Sequence, residues 1–203
     1  MIKHTYPGKF IVIEGLDGSG KSSQVELAVN FLKEQGKEVI VTKEPTMDSE
    51  YGLQIRRVLK GEITKEPLEL QKLYVDDRRE HLKNKVIPAL GKGKYVVSSR
   101  YYFSTFAYGG SEGLDVNMLI EMNKEFLVPD LAIIIDSSPE NCIQRIEKRG
   151  EGIDYFEKIE KLKRINEFYK KMPGMFEHVI LVNGERPISQ VSQEIKSLLE
   201  KLS

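Results

Sequence analysis

Five short apolar runs are spaced along the chain, and they predict the strands of a buried sheet. None of the runs alternates apolar with polar residues, which is typical of parallel strands that helices cover on both faces. Stretches with apolar residues at helical spacing lie between them. Strands and helices that alternate in this way favour an α/β fold: a three-layer, doubly wound, five-stranded parallel sheet. The five runs are Phe10–Ile13, Val39–Thr42, Tyr95–Ser98, Leu131–Ile135 and Val179–Val182.

The helical stretches carry start and stop signals. The first helix follows the first strand, with apolar residues between Val25 and Leu32, and stops at Gly36. Pro67 suits the first turn of a later helix, and Pro88 is expected to close that segment. No repeat or linker interrupts the pattern, so one domain over residues 1–203 is expected. The predicted helices after the first are Gly52–Lys60, Pro67–Val86, Val116–Phe126, a helix from Pro139 towards Arg149, and Ile188–Leu202.

The segment after the first strand fits the P-loop pattern, in which Gly15 and Gly20 enclose four residues and Lys and Ser follow. Glycines let the backbone wrap closely and turn its N–H groups towards an anion. Lys21 would offer charge to the β- and γ-phosphates of a nucleotide, and Ser22 a hydroxyl to Mg²⁺. The alternative is a glycine-rich turn that binds no ligand. The residues expected to bind the nucleotide are Gly15, Asp17, Gly18, Ser19, Gly20, Lys21, Ser22 and Ser23.

Composition narrows the functional classes. The 31 basic residues balance the 31 acidic ones, so a nucleic-acid-binding surface over the whole molecule is not expected. Cys142 is the only cysteine, and its place on a predicted helix favours a packed thiol over a nucleophile. The first nine residues lack the apolar core of a signal peptide, and no apolar run is long enough to span a membrane. These features predict a cytoplasmic protein.

A P-loop is shared by kinases, switch proteins and motors, so other positions must distinguish them. In open parallel sheets those positions follow the carboxyl ends of the other strands. There, and along nearly the whole chain in the same order, the sequence resembles the thymidylate kinase family. The matching segments are IEGLDGSGKS, KEPT, LYVDDRREHL, SRYYFSTFAY, PDLAIIIDSSPE and NGERPISQV. The resemblance implies a P-loop NTP hydrolase-like fold, a homodimer, and transfer of the γ-phosphoryl group of Mg·ATP to dTMP, giving dTDP and ADP.

The resemblance also implies roles for residues of the acceptor site. Tyr74 would stack on thymine, and Arg78, one helical turn later, would donate to a base carbonyl. Arg56 and Arg100 would hold the acceptor phosphate, because an arginine fork can bind two oxygens at once. Tyr108 would pack under the sugar and exclude a ribose 2′-hydroxyl by steric contact. The alternatives are a core aromatic for Tyr74 and a solvated charge for Arg78.

Other residues of the acceptor site have two interpretations each. Glu14 is either a substrate ligand or a satisfied structural carboxylate, and Asp17 would contact the acceptor sugar or the waters of the metal. Ser104 and Thr105 fall in a predicted loop, where they either line the base pocket or serve as turn hydroxyls. The full set expected to bind the acceptor is Glu14, Glu44, Pro45, Arg56, Tyr74, Arg78, Arg100, Ser104, Thr105 and Tyr108.

No arginine lies between Leu16 and Ser19, so a lid near residues 145–155 is expected to supply a cation to the transition state. Arg145 and Arg149 lie four residues apart and share a helix face. Such cations would stabilise charge on the γ-phosphoryl oxygens during an in-line transfer. The alternative is an ordinary basic cluster at a helix end. The expected catalytic residues are Lys21, Arg100, Arg149, Arg145 and Asp17, and the expected metal ligands are Ser22 and Asp17.

The chain departs from the family at several positions. Ser99 stands where the family has Asp, so a carboxylate expected to help hold Mg²⁺ or its waters is lost. Gly109 replaces a Gln and removes an amide near the sugar, while Asn183 replaces an Asp at the adenine end. His81 is expected at the surface. Two alternative functions stay open: a kinase of another nucleoside monophosphate or of a nucleoside, and a nucleotide-binding homologue with reduced catalysis.

Overall fold

The computed structural model describes residues 1–148 and 155–202, without the side chains of residues 155–158. Its strands all belong to one parallel sheet, in the spatial order second, third, first, fourth, fifth. Each lies within two residues of its predicted range, which confirms the α/β prediction. The strands are β1 (Phe10–Gly15), β2 (Val39–Lys43), β3 (Tyr95–Ser99), β4 (Leu131–Asp136) and β5 (Val179–Asn183).

Helices connect the strands and cover both faces of the sheet. Within the described ranges, no helix is both long and apolar enough to cross a membrane. The helices are α1 (Lys21–Glu34), α2 (Glu50–Leu59), α3 (Pro67–His81), α4 (Ile87–Gly91), α5 (Tyr102–Ser111), α6 (Val116–Met122), α7 (Pro139–Glu147), α8 (Tyr155–Lys171) and α9 (Ile188–Glu200).

Alternate residues of the central strand enter two separate hydrophobic cores. Ile11 and Ile13 pack with α1 and α9 on one face of the sheet. Phe10 and Val12 pack on the other face, with side chains from α3 to α8. This division follows from the pleat, because successive side chains of a strand point to opposite faces. The glycine-rich loop after β1 is therefore anchored from both faces of the sheet.

Local signals set several helix ends as predicted. The Ser138 hydroxyl accepts a hydrogen bond from the N–H of Asn141, at 3.3 Å, and caps α7. Pro139 and Pro67 occupy the first turns of α7 and α3. Helix α1 stops just before Gly36, whose φ of 74° lies in the left-handed region that glycine tolerates.

The prediction that Pro88 closes its helical segment is wrong. A π-helical turn over Leu82–Val86 joins α3 to α4, and the N–H of Ile87 bonds back to the carbonyl of Leu82. Pro88 then lies in the first turn of α4, where its missing N–H removes no helical bond. The wider turn lets the chain continue through the proline to Gly91.

Two helices and one edge of the sheet differ from prediction. Helix α5 occupies a segment expected to be a loop, and α8 has no predicted counterpart. Strand β2 is not covered on both faces, since Val41 is 45% exposed. This strand lies at the edge of the sheet. Its residues Val41–Lys43 line a cavity of about 670 Å³ between α1 and α3, where a packed helix was expected.

Candidate active site

The glycine-rich loop between β1 and α1 takes a shape that side chains would prevent. Gly18 has a φ of 84°, and a Cβ atom there would lie 2.3 Å from the carbonyl oxygen of Cys142 in α7. Gly15, with a φ of 140°, approaches the carbonyl of Ile135 in the same way. Gly20 precedes α1 without a side-chain cap, so the first N–H groups of the helix stay available to an anion. The loop has the geometry expected of a phosphate cradle.

The Lys21 side chain lies folded over this loop. Its Nζ atom donates to the carbonyl of Leu16 at 2.7 Å and lies 3.7 Å from Asp17 Oδ1. Burial, followed by the nearby charge of Arg100, lowers the pKa of Lys21 to about 7. A bound polyphosphate would favour the charged amine, so the position is matched to an anionic ligand.

Arg100 brings several predicted residues together. It is a non-glycine residue in the left-handed region, with a φ of 72°, directly after β3. Its guanidinium donates to Asp17 Oδ1 at 2.6 Å, to the Tyr108 hydroxyl at 3.1 Å and to the Ser104 hydroxyl at 2.9 Å. It also lies over the Tyr108 ring, 5.2 Å from the centroid. The P-loop carboxylate and the acceptor-side tyrosine thus meet on one cation.

Glu14 is fully buried, and its oxygens bond to the protein. Oε1 accepts the backbone N–H groups of Tyr101, at 2.7 Å, and Ser104, at 3.2 Å. Oε2 accepts the Ser104 hydroxyl at 2.7 Å and the Tyr169 hydroxyl at 2.9 Å. These bonds favour the structural interpretation, because Glu14 satisfies the donors at the start of α5. Tyr169 lies on α8 and was missed because that helix was not predicted.

A cavity of about 320 Å³ connects the glycine loop to the ends of β2 and β3. We call it the phosphate cavity. Lys43 was not predicted to belong to it; the residue is paired across the sheet with Ser99 and follows the predicted second strand directly. Its place before Glu44 at a strand's carboxyl end was the signal available in the sequence. The residues lining the phosphate cavity are Asp17, Gly18, Gly20, Lys21, Ser22, Ser23, Lys43, Glu44, Ser99, Arg100 and Ile146.

Arg78 is buried, with 1% of its surface exposed, so the interpretation as a solvated charge is wrong. Its Nε and Nη2 atoms both donate to Glu44 Oε2 at 2.8 Å, and Nη1 donates to Asn123 Oδ1 at 2.5 Å. The rings of Tyr101 and Phe126 lie 5.2 and 5.6 Å from the guanidinium carbon. Arg78 is therefore paired and packed within the protein.

His81 continues this polar network. It is buried, with Nδ1 3.0 Å from Glu44 Oε1 and Nε2 2.6 Å from the Thr42 hydroxyl. The expectation that it lies at the surface is therefore wrong. The prediction failed because a histidine in a charge-rich helix resembles an exposed residue until its tertiary partners are known. Both oxygens of Glu44 are occupied, which makes Glu44 a positioning residue for Arg78 rather than an open ligand.

Arg56 does not line the phosphate cavity. Its guanidinium donates to the carbonyls of Thr46, at 2.5 Å, and Met47, at 2.8 Å. The same loop is held by the buried Asp77, which accepts the N–H of Thr46 at 2.9 Å and its hydroxyl at 2.5 Å. Pro45 begins this loop after a cis peptide bond. The structure thus ties Arg56 to the loop that follows β2.

Tyr74 lies on α3, and Thr105 and Tyr108 lie on α5, which packs on α3. Tyr74 is half-buried, and burial raises the pKa of its hydroxyl to about 12, with smaller influences from Arg100 and Asp17. Thr105 Oγ1 lies 3.4 Å from the Arg78 guanidinium. Ser104 and Thr105 are helical, so their assignment to a loop is wrong.

Arg145 lies behind the glycine loop rather than over the phosphate cavity. Its Nη1 atom is 3.4 Å from the carbonyls of Gly18 and Ser19, and Nη2 is 3.4 Å from that of Gly184. Arg149 and the rest of the predicted lid at 149–154 lie outside the described residues. Cys142 is a buried thiol as predicted, and burial raises its pKa to about 12.

The donor set fits a Mg²⁺ ion that is carried mainly by substrate. In the described part of the chain, no group of three or more His, Cys, Asp or Glu side chains could hold a metal. Ser22 and the exposed carboxylate of Asp17 both line the phosphate cavity. Magnesium is commonly held by one or two such oxygens together with phosphates and water. The residues present fit that arrangement.

Comparison with known proteins places these features in a family. A family model described as thymidylate kinase matches residues 13–195. A probable thymidylate kinase of Pyrococcus horikoshii is 37% identical over 198 residues, covering 95% of this chain and 96% of that protein. One from Thermococcus gammatolerans is 37% identical, covering 96% and 97%. A thymidylate kinase of Desulfotalea psychrophila is 36% identical, covering 97% and 96%.

Proposed function

The chain belongs to the thymidylate kinase family and is a phosphotransferase, and we propose that it transfers the γ-phosphoryl group of ATP to dTMP. The observation that carries this proposal is the contact between Asp17 of the glycine loop, Arg100 after β3 and Tyr108 of α5. It joins the loop suited to a nucleotide's phosphates with the helix suited to a nucleoside monophosphate. The γ-phosphate of ATP and the phosphate of dTMP could therefore both approach the Arg100 guanidinium.

On the donor side, the chain supplies a cradle and charge. The N–H groups around Gly18 and Gly20 and the start of α1 would hold the β- and γ-phosphates. Lys21 would leave the Leu16 carbonyl and place its charge on the γ-phosphoryl oxygens. Because charge spreads over those oxygens during an in-line transfer, positioned cations lower the barrier without any covalent intermediate.

On the acceptor side, Arg100 would bind the phosphate of dTMP and aim its attacking oxygen at the γ-phosphorus. Tyr108 holds the Arg100 guanidinium and would also pack under the deoxyribose. Tyr74 would stack on the base, and Arg78, held by Glu44, would donate to a base carbonyl once the contact between α3 and α5 opens. Arg56 would reach the acceptor phosphate only by giving up the carbonyls of Thr46 and Met47.

Ser22 and Asp17 are the residues that would hold Mg²⁺. When bound, the ion supplies charge neutralisation for the β- and γ-phosphate oxygens. Asp17 also restrains Arg100, so the same carboxylate orients the acceptor's cation. Ser99 and Lys43 face this region as a hydroxyl and a cation, and neither adds negative charge.

The remaining parts of the proposal concern the whole molecule. We propose one kinase domain over residues 1–203 with a lid near 145–155 that carries Arg145 and Arg149. We also propose a homodimer, which the resemblance to the thymidylate kinase family supports. Sedimentation that shows only monomer at micromolar concentration would contradict the dimer. The reaction draws on ATP, so we propose that the protein works in the cytoplasm.

The test is ADP production from ATP and Mg²⁺ with dTMP, dUMP, dCMP, UMP and thymidine offered separately. We expect a clear preference for dTMP. Turnover confined to another acceptor would replace the proposal with a kinase of another nucleoside monophosphate or nucleoside. Nucleotide binding without any turnover would indicate a homologue with reduced catalysis.

A further inference from the structure

Gln71 is a buried polar residue that the reaction scheme does not use. It lies in α3, only 2% of it is exposed, and its Oε1 atom has no hydrogen-bond partner among the described residues. Turning the carboxamide over would exchange oxygen for nitrogen, so either orientation leaves a polar atom at this position. Buried polar groups are normally paired, and an orphan in a native protein calls for an explanation.

Gly109 of α5 makes the space in which this carboxamide lies. A Cβ atom at position 109 would be 3.4 Å from Cγ and Cδ of Gln71 and 2.8 Å from a methyl group of Leu119. The Gln71 side chain therefore packs directly on the backbone of α5 where that helix has no side chain. A side chain at position 109 would clash with Leu119 and would touch the Gln71 carboxamide.

The position of Gln71 on its helix points to the acceptor site. Gln71, Tyr74 and Arg78 are spaced at i, i+3 and i+7, so they share one face of α3. That face packs on α5, where Gly109 directly follows Tyr108. A base placed between Tyr74 and Arg78 would thus meet the Gln71 carboxamide along its edge.

We propose that Gln71 is a specificity-determining residue that reads the edge of the acceptor base. Its carboxamide offers one donor and one acceptor side by side. Thymine and uracil present the complement, an N3–H donor beside a carbonyl acceptor. Arg78 can only donate and therefore favours a carbonyl over the amino group of cytosine. Together the two residues select a 4-oxopyrimidine, and this inference rests on the proposed function.

A purely structural glutamine and a ligand-reading one predict different results when the amide is removed. Gln71→Met keeps the length and unbranched shape of the side chain but loses both polar groups. Because Oε1 has no described partner, the substitution should leave the melting temperature unchanged or raise it. A ligand-reading residue would lose dTMP binding at the same time, whereas a packing residue would not.

The experiment measures steady-state kinetics and thermal melting of Gln71→Met. We expect KM for dTMP to rise about 10- to 100-fold, since a pair of hydrogen bonds is lost, with kcat within about threefold and KM for ATP unchanged. The kcat/KM ratio of dTMP over its N3-methyl analogue should fall about tenfold or more, because the N3–H contact no longer discriminates. Gln193→Met, at an exposed position of α9, is the matched control and should change none of these values.

Each outcome separates the inference from the function on which it rests. An unchanged KM and unchanged discrimination in a variant that melts normally would overturn the role of Gln71, while wild-type turnover of dTMP would still stand. Absence of dTMP turnover in the wild-type protein would overturn both. If Gln71→Met does not fold, Gln71→Glu keeps the shape and removes the N–H donor. A raised KM for dTMP in that variant supports the inference, and an unchanged one overturns it.

Discussion

The two halves of the proposed site are built in different ways. The phosphate half is dominated by one short continuous segment, the glycine loop with Lys21, which forms one wall of the phosphate cavity. The acceptor half draws single side chains from α3 and α5, and from the residues that directly follow β2 and α6, into a buried network around Arg78. A cradle of backbone groups depends mainly on the local conformation of its glycines and on the close approach of α7 and β4 to them. A network of buried charges depends on every partner being present, so it is the half more easily broken by substitution.

The largest effect is expected for a substitution in the buried acceptor half, measured as a loss of stability. Glu44→Ala leaves the Arg78 guanidinium buried without its carboxylate, and we expect a loss of about 3–5 kcal/mol in the free energy of unfolding. Urea denaturation monitored by circular dichroism measures this loss. The control is Glu38→Ala, which removes the exposed partner of Lys94 and should leave the midpoint nearly unchanged. Equal midpoints for the two variants would contradict the view that the acceptor half depends on its buried charges.

A smaller effect is expected for a substitution in the phosphate half, measured as a change in the Mg²⁺ dependence of the rate. Ser99→Asp places a carboxylate beside Ser22 and Lys43 in the phosphate cavity. We expect the Mg²⁺ concentration for half-maximal rate to fall about 3- to 10-fold, because an added negative oxygen attracts the divalent ion. Titration of the rate with Mg²⁺ tests this, with Ser99→Asn as the uncharged control. An equal shift in both variants would show that charge is not the cause.

The smallest effect is a proton taken up by Lys21. Above pH 7 its amine loses a proton in the free protein, and bound phosphates should restore it. At pH 8 we therefore expect ADP binding to take up between about half a proton and one proton, and its affinity to weaken as pH rises above about 7. Calorimetry in buffers of different ionisation enthalpy measures the uptake, and Lys21→Arg should abolish it. Zero uptake by the wild-type protein at pH 8 would contradict the lowered pKa.

The features that could be predicted from the sequence are those set by contiguous residues. The five strands, the glycine loop and the caps at Ser138 and Pro139 depend on contiguous patterns, and the structure confirms these elements. Helix α5 was not predicted because its sequence is rich in aromatic residues and contains Gly109 and Gly110 in its last turn, which are poor helix formers. Its first turn is held by Glu14, 87 residues before Tyr101, and no local pattern reports such a contact.

Other features of the site were hidden for related reasons. His81 and Arg78 lie in a run of charged residues, which resembles a solvated helix face until Glu44 and Asn123 are brought to it. Helix α8 did leave a signal, since Ile159, Leu162 and Ile165 recur at helical spacing and are buried. The orphaned carboxamide of Gln71 could be recognised only from the fold.

Glu14 has a consequence for how this scaffold can change over evolutionary time. One carboxylate on the strand that leads into the glycine loop holds both the first turn of α5 and the Tyr169 hydroxyl. Glu14 therefore helps to fix the distance between the glycine loop and α5, and with it the distance between the proposed donor and acceptor sites. Substitutions further along α3 and α5 can change which nucleobase the protein binds, while the distance over which the phosphoryl group is transferred stays the same.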